Sequence, residues 1–277
     1  MLAKACYPDC RRSIKAGRAV AVFHAETFSA RSLDALRQRL TPGHVALVAG
    51  IALLAFLLGA LLLDEPVSQA LQAWPDFERA LFLRLTRLGK SDWILIPSAL
   101  VVAGAALALQ ARLDDAWRQA MRGLVLGGGF IFVGVALPGI VTVIIKRIVG
   151  RARPYVENAS SLDFHPFNLL ENAYHSFPSG HSTTAIAFSI VLFTLTNGRF
   201  RGLFLALGVL IGLSRIVVGD HYLTDVIGGL FVGTIFSLAV RDLFATRGWG
   251  MSIENGRVVS HIHGLFVPLI ARYRRER

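Results

Sequence analysis

The chain has 277 residues, of which 54% are hydrophobic and 17% charged, with a formal net charge of +11. A mean hydropathy of +0.55 excludes an ordinary soluble domain and points to a polytopic membrane protein. The basic residues are dispersed between apolar runs, so a pI near 10.6 bears on orientation in a membrane, and no nucleic-acid partner is expected.

Residues 1–43 are polar and basic, with Lys4, Arg11, Arg12, Lys15, Arg18, Arg31, Arg37 and Arg39. No apolar core follows the first of these closely enough for a cleavable signal peptide, so the first span is expected to stay as an anchor. Cys6 and Cys10 lack Cys-x-x-Cys spacing and have no second pair, which reads as reduced thiols and not as a zinc site or disulfide framework. In residues 31–40, Leu33, Leu36 and Leu40 share one face. A short helix lying along the membrane surface fits that pattern, and so does a tail without structure.

Six apolar stretches follow, at 44–63, 93–111, 123–145, 182–198, 202–219 and 223–240. Each approaches the ~20 residues that cross a bilayer as a helix. The expected fold is all-α: a bundle of six transmembrane helices, with residues 64–92 as an additional amphipathic helix at the interface, carrying Trp74, Phe77, Arg79, Phe82, Arg84, Leu85 and Arg87. The pairs Gly123/Gly127, Gly208/Gly212 and Gly229/Gly233 are spaced for close helix packing. Six spans put both termini on one side. The two tails and the loops on that side carry 20 of the 29 basic residues, which makes it cytoplasmic. The division is therefore a cytoplasmic basic segment at 1–43, a six-span domain at 44–240 and a cytoplasmic basic tail at 241–277.

Three stretches on the outward side carry chemistry. At the end of the third span, Lys146 and Arg153 are seven residues apart, about two helical turns, so both point the same way if the helix persists to Pro154; alone they read as cations reaching for lipid headgroups. At the start of the fourth span, Phe177-Pro178-Ser179-Gly180-His181 offers backbone amides and a helix dipole to an anion, with His181 placed to give a proton; alone it reads as an ordinary cap. Between the fifth and sixth spans, Ser214-Arg215 precedes His221, with Asp225 four residues further on. On one helix face, Asp225 would hydrogen-bond one imidazole nitrogen and leave the other free as nucleophile or base; alone this is a structural pair. Topology brings all three to one membrane face, where fixed cations, a nucleophile and a proton donor meet the needs of phosphoryl transfer.

Lys146-x6-Arg153-Pro154, Pro178-Ser179-Gly180-His181 and Ser214-Arg215-x5-His221-x3-Asp225 resemble the three-part signature of the type 2 phosphatidic acid phosphatase family. These are integral-membrane lipid phosphate phosphatases related to vanadium haloperoxidases, and every signature position is present. The resemblance implies that His221 attacks phosphorus to form a phosphohistidine, that Asp225 orients it, and that His181 protonates the leaving group. It implies that Lys146, Arg153, Ser179, the Gly180 amide and Arg215 hold the phosphate oxygens, with Ser214 in a packing role, and that neither metal nor cofactor is needed. The implied substrate is a lipid phosphomonoester or pyrophosphate among the membrane lipids: phosphatidylglycerophosphate, undecaprenyl pyrophosphate, a lipid A phosphate or phosphatidic acid. The implied setting is a bacterial inner membrane with the site facing the periplasm. Two other readings remain: a lipid phosphotransferase using the same site, and a transporter or channel, which would place ionisable residues inside the spans. The loop at 155–177, with Glu157, Asp163, His165 and His175, either recognises the headgroup or covers the site. Asp220 reads as a solvated or capping residue, and His261 and His263 are not expected to be ligands.

Overall fold

The computed structural model describes residues 42–275; residues 1–41, with the surface-helix reading at 31–40 and both cysteines, lie outside them. The described chain is mostly helical. Helix α1 (Pro42–Gly59) runs through a π-turn at Ala60–Asp64 into α2 (Glu65–Gln72). Then come α3 (Asp76–Leu85), a 3-10 turn at Thr86–Gly89, α4 (Asp92–Ala108) and α5 (Asp115–Val149). After a long loop follow α6 (Gly180–Leu195), α7 (Arg201–Val217) and α8 (Leu223–Thr246). A hairpin of β1 (Met251–Glu254) and β2 (Arg257–Ser260) leads to a 3-10 turn at Ile262–Phe266 and α9 (Val267–Arg275).

All six apolar stretches are helical, with ends set by local chemistry more than by hydropathy. Helix α5 begins eight residues before its apolar run, because Asp114 caps it by accepting a hydrogen bond from the Trp117 amide at 2.9 Å. It also stops before the expected proline: Gly150 takes a left-handed φ of 61°, and a Cβ there would stand 1.7 Å from the His165 carbonyl oxygen. Lys146 and Arg153 therefore do not share a helix; Arg153 lies in the chain beyond it. Residues 64–92 form two short helices and a turn in place of one amphipathic helix.

Among the described residues, four helical segments are long and apolar enough to cross a membrane: Gly50–Gln72, Asp76–Ala108, Asp115–Val149 and Leu223–Thr246. Helix α6 is apolar but only 16 residues long. It lies among its neighbours, packing against α5, α7 and α8, and its hydroxyls find partners there: Thr183 bonds Thr142 of α5 at 3.0 Å. Glycines permit the closeness. A Cβ on Gly229 would meet the Ser179 carbonyl oxygen at 2.4 Å, and one on Gly233 the Thr183 carbonyl oxygen at 2.6 Å.

The apolar core lies at the far end of α8 from its start, where Phe130, Val191, Val240, Phe244, Met251 and Ile262 pack together. Three of these come from the stretch read as a basic tail: Phe244 on the last turns of α8, and Met251 and Ile262 from the part that folds back on the bundle. Asn255 and Gly256, with φ of 49° and 74°, make the tight turn that pairs Met251 with Ser260, a hairpin signal that was present in the Asn-Gly dipeptide.

Candidate active site

Lys146 occupies the last turn of α5, and its Nζ donates to the His175 carbonyl at 3.0 Å. The start of α6 is beside it: a Cβ on Gly180 would lie 3.9 Å from that Nζ. Ser179 is the N-cap of α6. Its hydroxyl accepts from the Ser182 hydroxyl at 2.8 Å and from the Ser182 amide at 3.4 Å, and so keeps its own proton to give. Its amide donates to the Asp225 carbonyl at 2.9 Å, which ties the start of α6 to the start of α8. His181, the second residue of α6, rests against Gly89, where an added Cβ would approach its Cβ to 2.9 Å.

Arg215, in the last turn of α7, is 6% exposed. Its Nη1 donates to the Thr86 hydroxyl at 2.6 Å, and its Nη2 donates to Asp220. Arg153 Nη1 lies 3.9 Å from the other Asp220 oxygen. Asp220 thus holds both guanidinium groups at one place and is neither a simple cap nor a freely solvated residue. Among the described residues the Nε of Arg153 and of Arg215 are both buried with no hydrogen-bond partner. Such donors cost free energy unless something accepts from them, and an anion would.

His221 falls in the turn between α7 and α8, so it and Asp225 do not lie on one helix as the four-residue spacing suggested. Asp225 is in the first turn of α8 and accepts from the Tyr222 amide at 2.9 Å, which brings its carboxylate back over the turn. His221 Nδ1 stands 3.6 Å from that carboxylate, longer than a hydrogen bond. Ser176 lies between them, donating to Asp225 Oδ2 at 2.6 Å with its oxygen 3.4 Å from Nδ1. Among the described residues Nε2 has no hydrogen-bond partner. Burial, with the charges of Lys146 and Arg153 adding to it, pushes the imidazole down to about 3 despite the Asp225 carboxylate. At neutral pH the ring is uncharged and has a lone pair to offer.

Sequence reasoning missed the centre of this arrangement. Arg151 has no exposed surface, and its Nη1 donates to Asp225 Oδ1 at 2.5 Å and to the Thr224 hydroxyl at 2.8 Å. Its Nη2 donates to Asp64 Oδ2 at 2.6 Å and to the Ser161 carbonyl at 2.7 Å. Asp64, equally buried, also accepts from the Thr224 amide at 2.9 Å, capping α8 from the side of α1. The guanidinium lies 4.7 Å from the Tyr222 ring centre. Burial lowers the pKa of Arg151, but the carboxylates of Asp225 and Asp64 outweigh it and raise the value above the ordinary one. One signal was available: Asp64 is an acid closing an apolar run, a placement that usually marks a partnered residue.

The loop from 155 to 177 is built into this frame. Its Phe164 forms a bridge with Arg151, Ser161 supplies the Arg151 carbonyl contact, and the Ser176 amide donates to the Arg151 carbonyl at 3.0 Å. Ser214 is buried and donates to the Ile211 carbonyl at 2.5 Å, a packing contact. His261 bonds Ser252 at 2.7 Å on the surface of the hairpin, away from these residues in the fold. Among the described residues no group of three or more His, Cys, Asp or Glu could hold a metal ion.

The PAP2 superfamily profile matches residues 127–249, which include every signature position. The lipid A 1-phosphatase of Rhizobium johnstonii is 36% identical over 203 residues, covering 72% of this chain and 80% of that protein. Phosphatidylglycerophosphatase B of Bacillus subtilis is 28% identical over 208 residues, covering 70% and 86%. The crystal structure of Aquifex aeolicus LpxE aligns with a TM-score of 0.44 at 19% identity, covering 64% of this chain and 94% of that one. The identity to the Rhizobium protein, over most of both chains, carries the conclusion that this chain belongs to the PAP2 superfamily.

Proposed function

We propose that the protein is a bacterial membrane lipid phosphatase that hydrolyses a phosphomonoester or pyrophosphate of a lipid through a phosphohistidine on His221. The observation that carries this reading is a buried imidazole whose Nε2 has no partner among the described residues, beside two arginines whose buried Nε–H groups have no acceptor there. Nε2 attacks phosphorus, forming a P–N bond as the P–O bond to the leaving lipid alkoxide, or to the lipid phosphate of a pyrophosphate, breaks. Burial and the charges of Arg215 and Lys146 push His181 down to about 3, so it draws on the substrate's negative charge beside it to hold the proton that it gives to the departing oxygen. Water then attacks the phosphohistidine as the P–N bond breaks, its proton passing to the now neutral His181, which releases inorganic phosphate and restores both histidines to their starting state. Lys146, Arg153, Arg215, the Ser179 hydroxyl and the Gly180 amide hold the equatorial oxygens, where charge accumulates in the transition state. Asp225, held by Arg151 and Ser176, balances the positive charge that His221 gains.

In this reading α6 and α7 join the four longer segments as spans, the facing ends of the first two of those segments, within 64–92, reach the outer interface, and the site faces the periplasm. The six spans fall within 44–240, and 1–43 and 241–277 are cytoplasmic, the latter packed onto that end of the bundle. The named activities of the relatives, lipid A 1-phosphatase and phosphatidylglycerophosphatase, put those two lipids first among the candidate substrates.

The test is phosphate release by detergent-purified protein from lipid A, phosphatidylglycerophosphate, undecaprenyl pyrophosphate and phosphatidic acid in EDTA, for wild type and His221→Ala. Release that survives EDTA and is lost in the variant is the expected result. Equal release by both proteins would overturn the role of His221, and transfer of phosphate to a lipid alcohol in place of water would make the protein a phosphotransferase.

A further inference from the structure

Three carboxylates meet arginines around the candidate site, and one of them is held differently from the others. Asp64 and Asp225 have no exposed surface, and each accepts from several donors. Asp225 accepts from Arg151, Ser176 and the Tyr222 amide, and Asp64 from Arg151, the Thr224 amide and the Thr224 hydroxyl. The Asp220 side chain is 32% exposed, and among the described residues its carboxylate accepts one hydrogen bond, from Arg215 Nη2. Its other oxygen faces Arg153 Nη1 at 3.9 Å, too far for a hydrogen bond.

The hold on Arg215 is one-pronged. In a guanidinium the Nε–H and the Nη2–H beside it point the same way, and a carboxylate or phosphate that fits the fork takes both in parallel. Asp220 takes Nη2 alone, and the buried Nε has no acceptor among the described residues. The fork is fixed from its other side, where Nη1 donates to the Thr86 hydroxyl at 2.6 Å. The Asp220 backbone is fixed too, its amide donating to the Arg215 carbonyl at 3.1 Å. Release of the carboxylate is therefore a change of side-chain rotamer, with neither the arginine nor the turn obliged to move.

We propose that Asp220 is an internal competitor for the phosphate: its carboxylate occupies the shared edge of Arg153 and Arg215 until the substrate displaces it, and returns there as inorganic phosphate leaves. This rests on the lipid phosphatase reading, in which those arginines hold the phosphate that is cleaved. Two guanidinium forks with no carboxylate between them would also hold the released phosphate dianion and slow its departure. A tethered carboxylate is always at hand to replace it. The site binds phosphate only in the fraction of molecules whose Asp220 has turned away, so the apparent affinity is lowered by that fraction. The pair is partly open to water, which keeps the effect moderate.

The test titrates inorganic phosphate into the detergent-purified full chain by isothermal calorimetry, which needs no turnover. Asp220→Asn and Asp220→Ala are expected to lower the dissociation constant about fivefold. Asp220→Glu keeps the charge and stays within about twofold of wild type. Adding Arg215→Gln to Asp220→Asn removes the gain, which assigns it to this edge. A structural clamp predicts the opposite sign: if Asp220 served to set the arginines in place, both neutral variants would bind phosphate more weakly. Unchanged or weaker binding, binding to neither wild type nor variants, or a gain that survives Arg215→Gln would overturn the proposal. Tighter binding in a protein that releases no phosphate from any lipid would refute the phosphatase reading alone. Lipid hydrolysis with an unshifted phosphate affinity would refute the role of Asp220 alone.

Discussion

The two ends of the helix bundle are held together by different forces. At one end Phe130, Val191, Val240 and Phe244 pack with Met251 and Ile262 folded back from the C-terminal hairpin, and the ring of Phe244 lies 5.1 Å from that of Phe130. At the other end a fully buried arginine joins two fully buried carboxylates, and the histidine stands beside one of them with Ser176 between. Apolar packing is non-directional and tolerates repacking of similar volume. A buried charge network tolerates little, because removing one member strands the others without water. The second end gives up adaptability and gains a fixed direction for the His221 ring.

The sharpest break of this contrast is Arg151→Met, which leaves Asp64 and Asp225 buried without a counter-charge. It is expected to cost about 3–5 kcal/mol in stability, read as thermal unfolding in detergent. Adding Asp64→Asn removes one stranded charge and restores part of the melting temperature, while phosphate release stays low because Asp225 has lost its clamp. At the opposite end, Phe244→Ala is expected to cost about 3–5 kcal/mol by opening a cavity, yet the folded fraction keeps its turnover number. Comparable loss of turnover per folded molecule in both variants would erase the distinction between the ends.

Gly229→Ala tests the seam between them. Its methyl would drive α8 off the Ser179 carbonyl, so about 1–3 kcal/mol of stability should go, and activity should fall further than Phe244→Ala makes it fall, because the start of α6 moves with it. Acid gives the mildest perturbation. His221 holds its pKa near 3, against 6.5 for the ordinary residue, so between those values the unfolded chain binds a proton that the native site refuses. The contribution is fully present above pH 6.5 and is lost as pH falls toward 3, with a slope of up to about 1.4 kcal/mol per pH unit. His221→Gln should flatten that slope in pH-dependent melting; an unchanged slope would assign it to other groups.

Much of the helical layout was legible because apolar length and cap residues act locally. Helix ends shifted where a neighbour intervened, as at Gly150, whose left-handed turn is required by a carbonyl fifteen residues further along the chain. The Asn255-Gly256 turn was legible too, but hydropathy drew attention to the basic residues around it. Of the candidate site, the residues proposed to hold the phosphate could be named from their spacing, and their chemistry is their own: an imidazole, guanidinium forks and a capped helix start are the same groups in any fold. The residues that position them could not be named. Arg151 meets Asp64 across 87 positions and Asp225 across 74, and Ser176 reaches Asp225 across 49.

What the sequence determined by itself is a membrane-embedded helical chain with three motifs whose residue types suit an anion, since apolar length, charge asymmetry and residue chemistry are properties of short segments. Only the tertiary structure decided that Arg151 and Asp64 anchor Asp225, and that Asp220 joins the two arginines. Those relations depend on which distant segments share a buried volume, where a charge must find a partner or pay the full cost of leaving water.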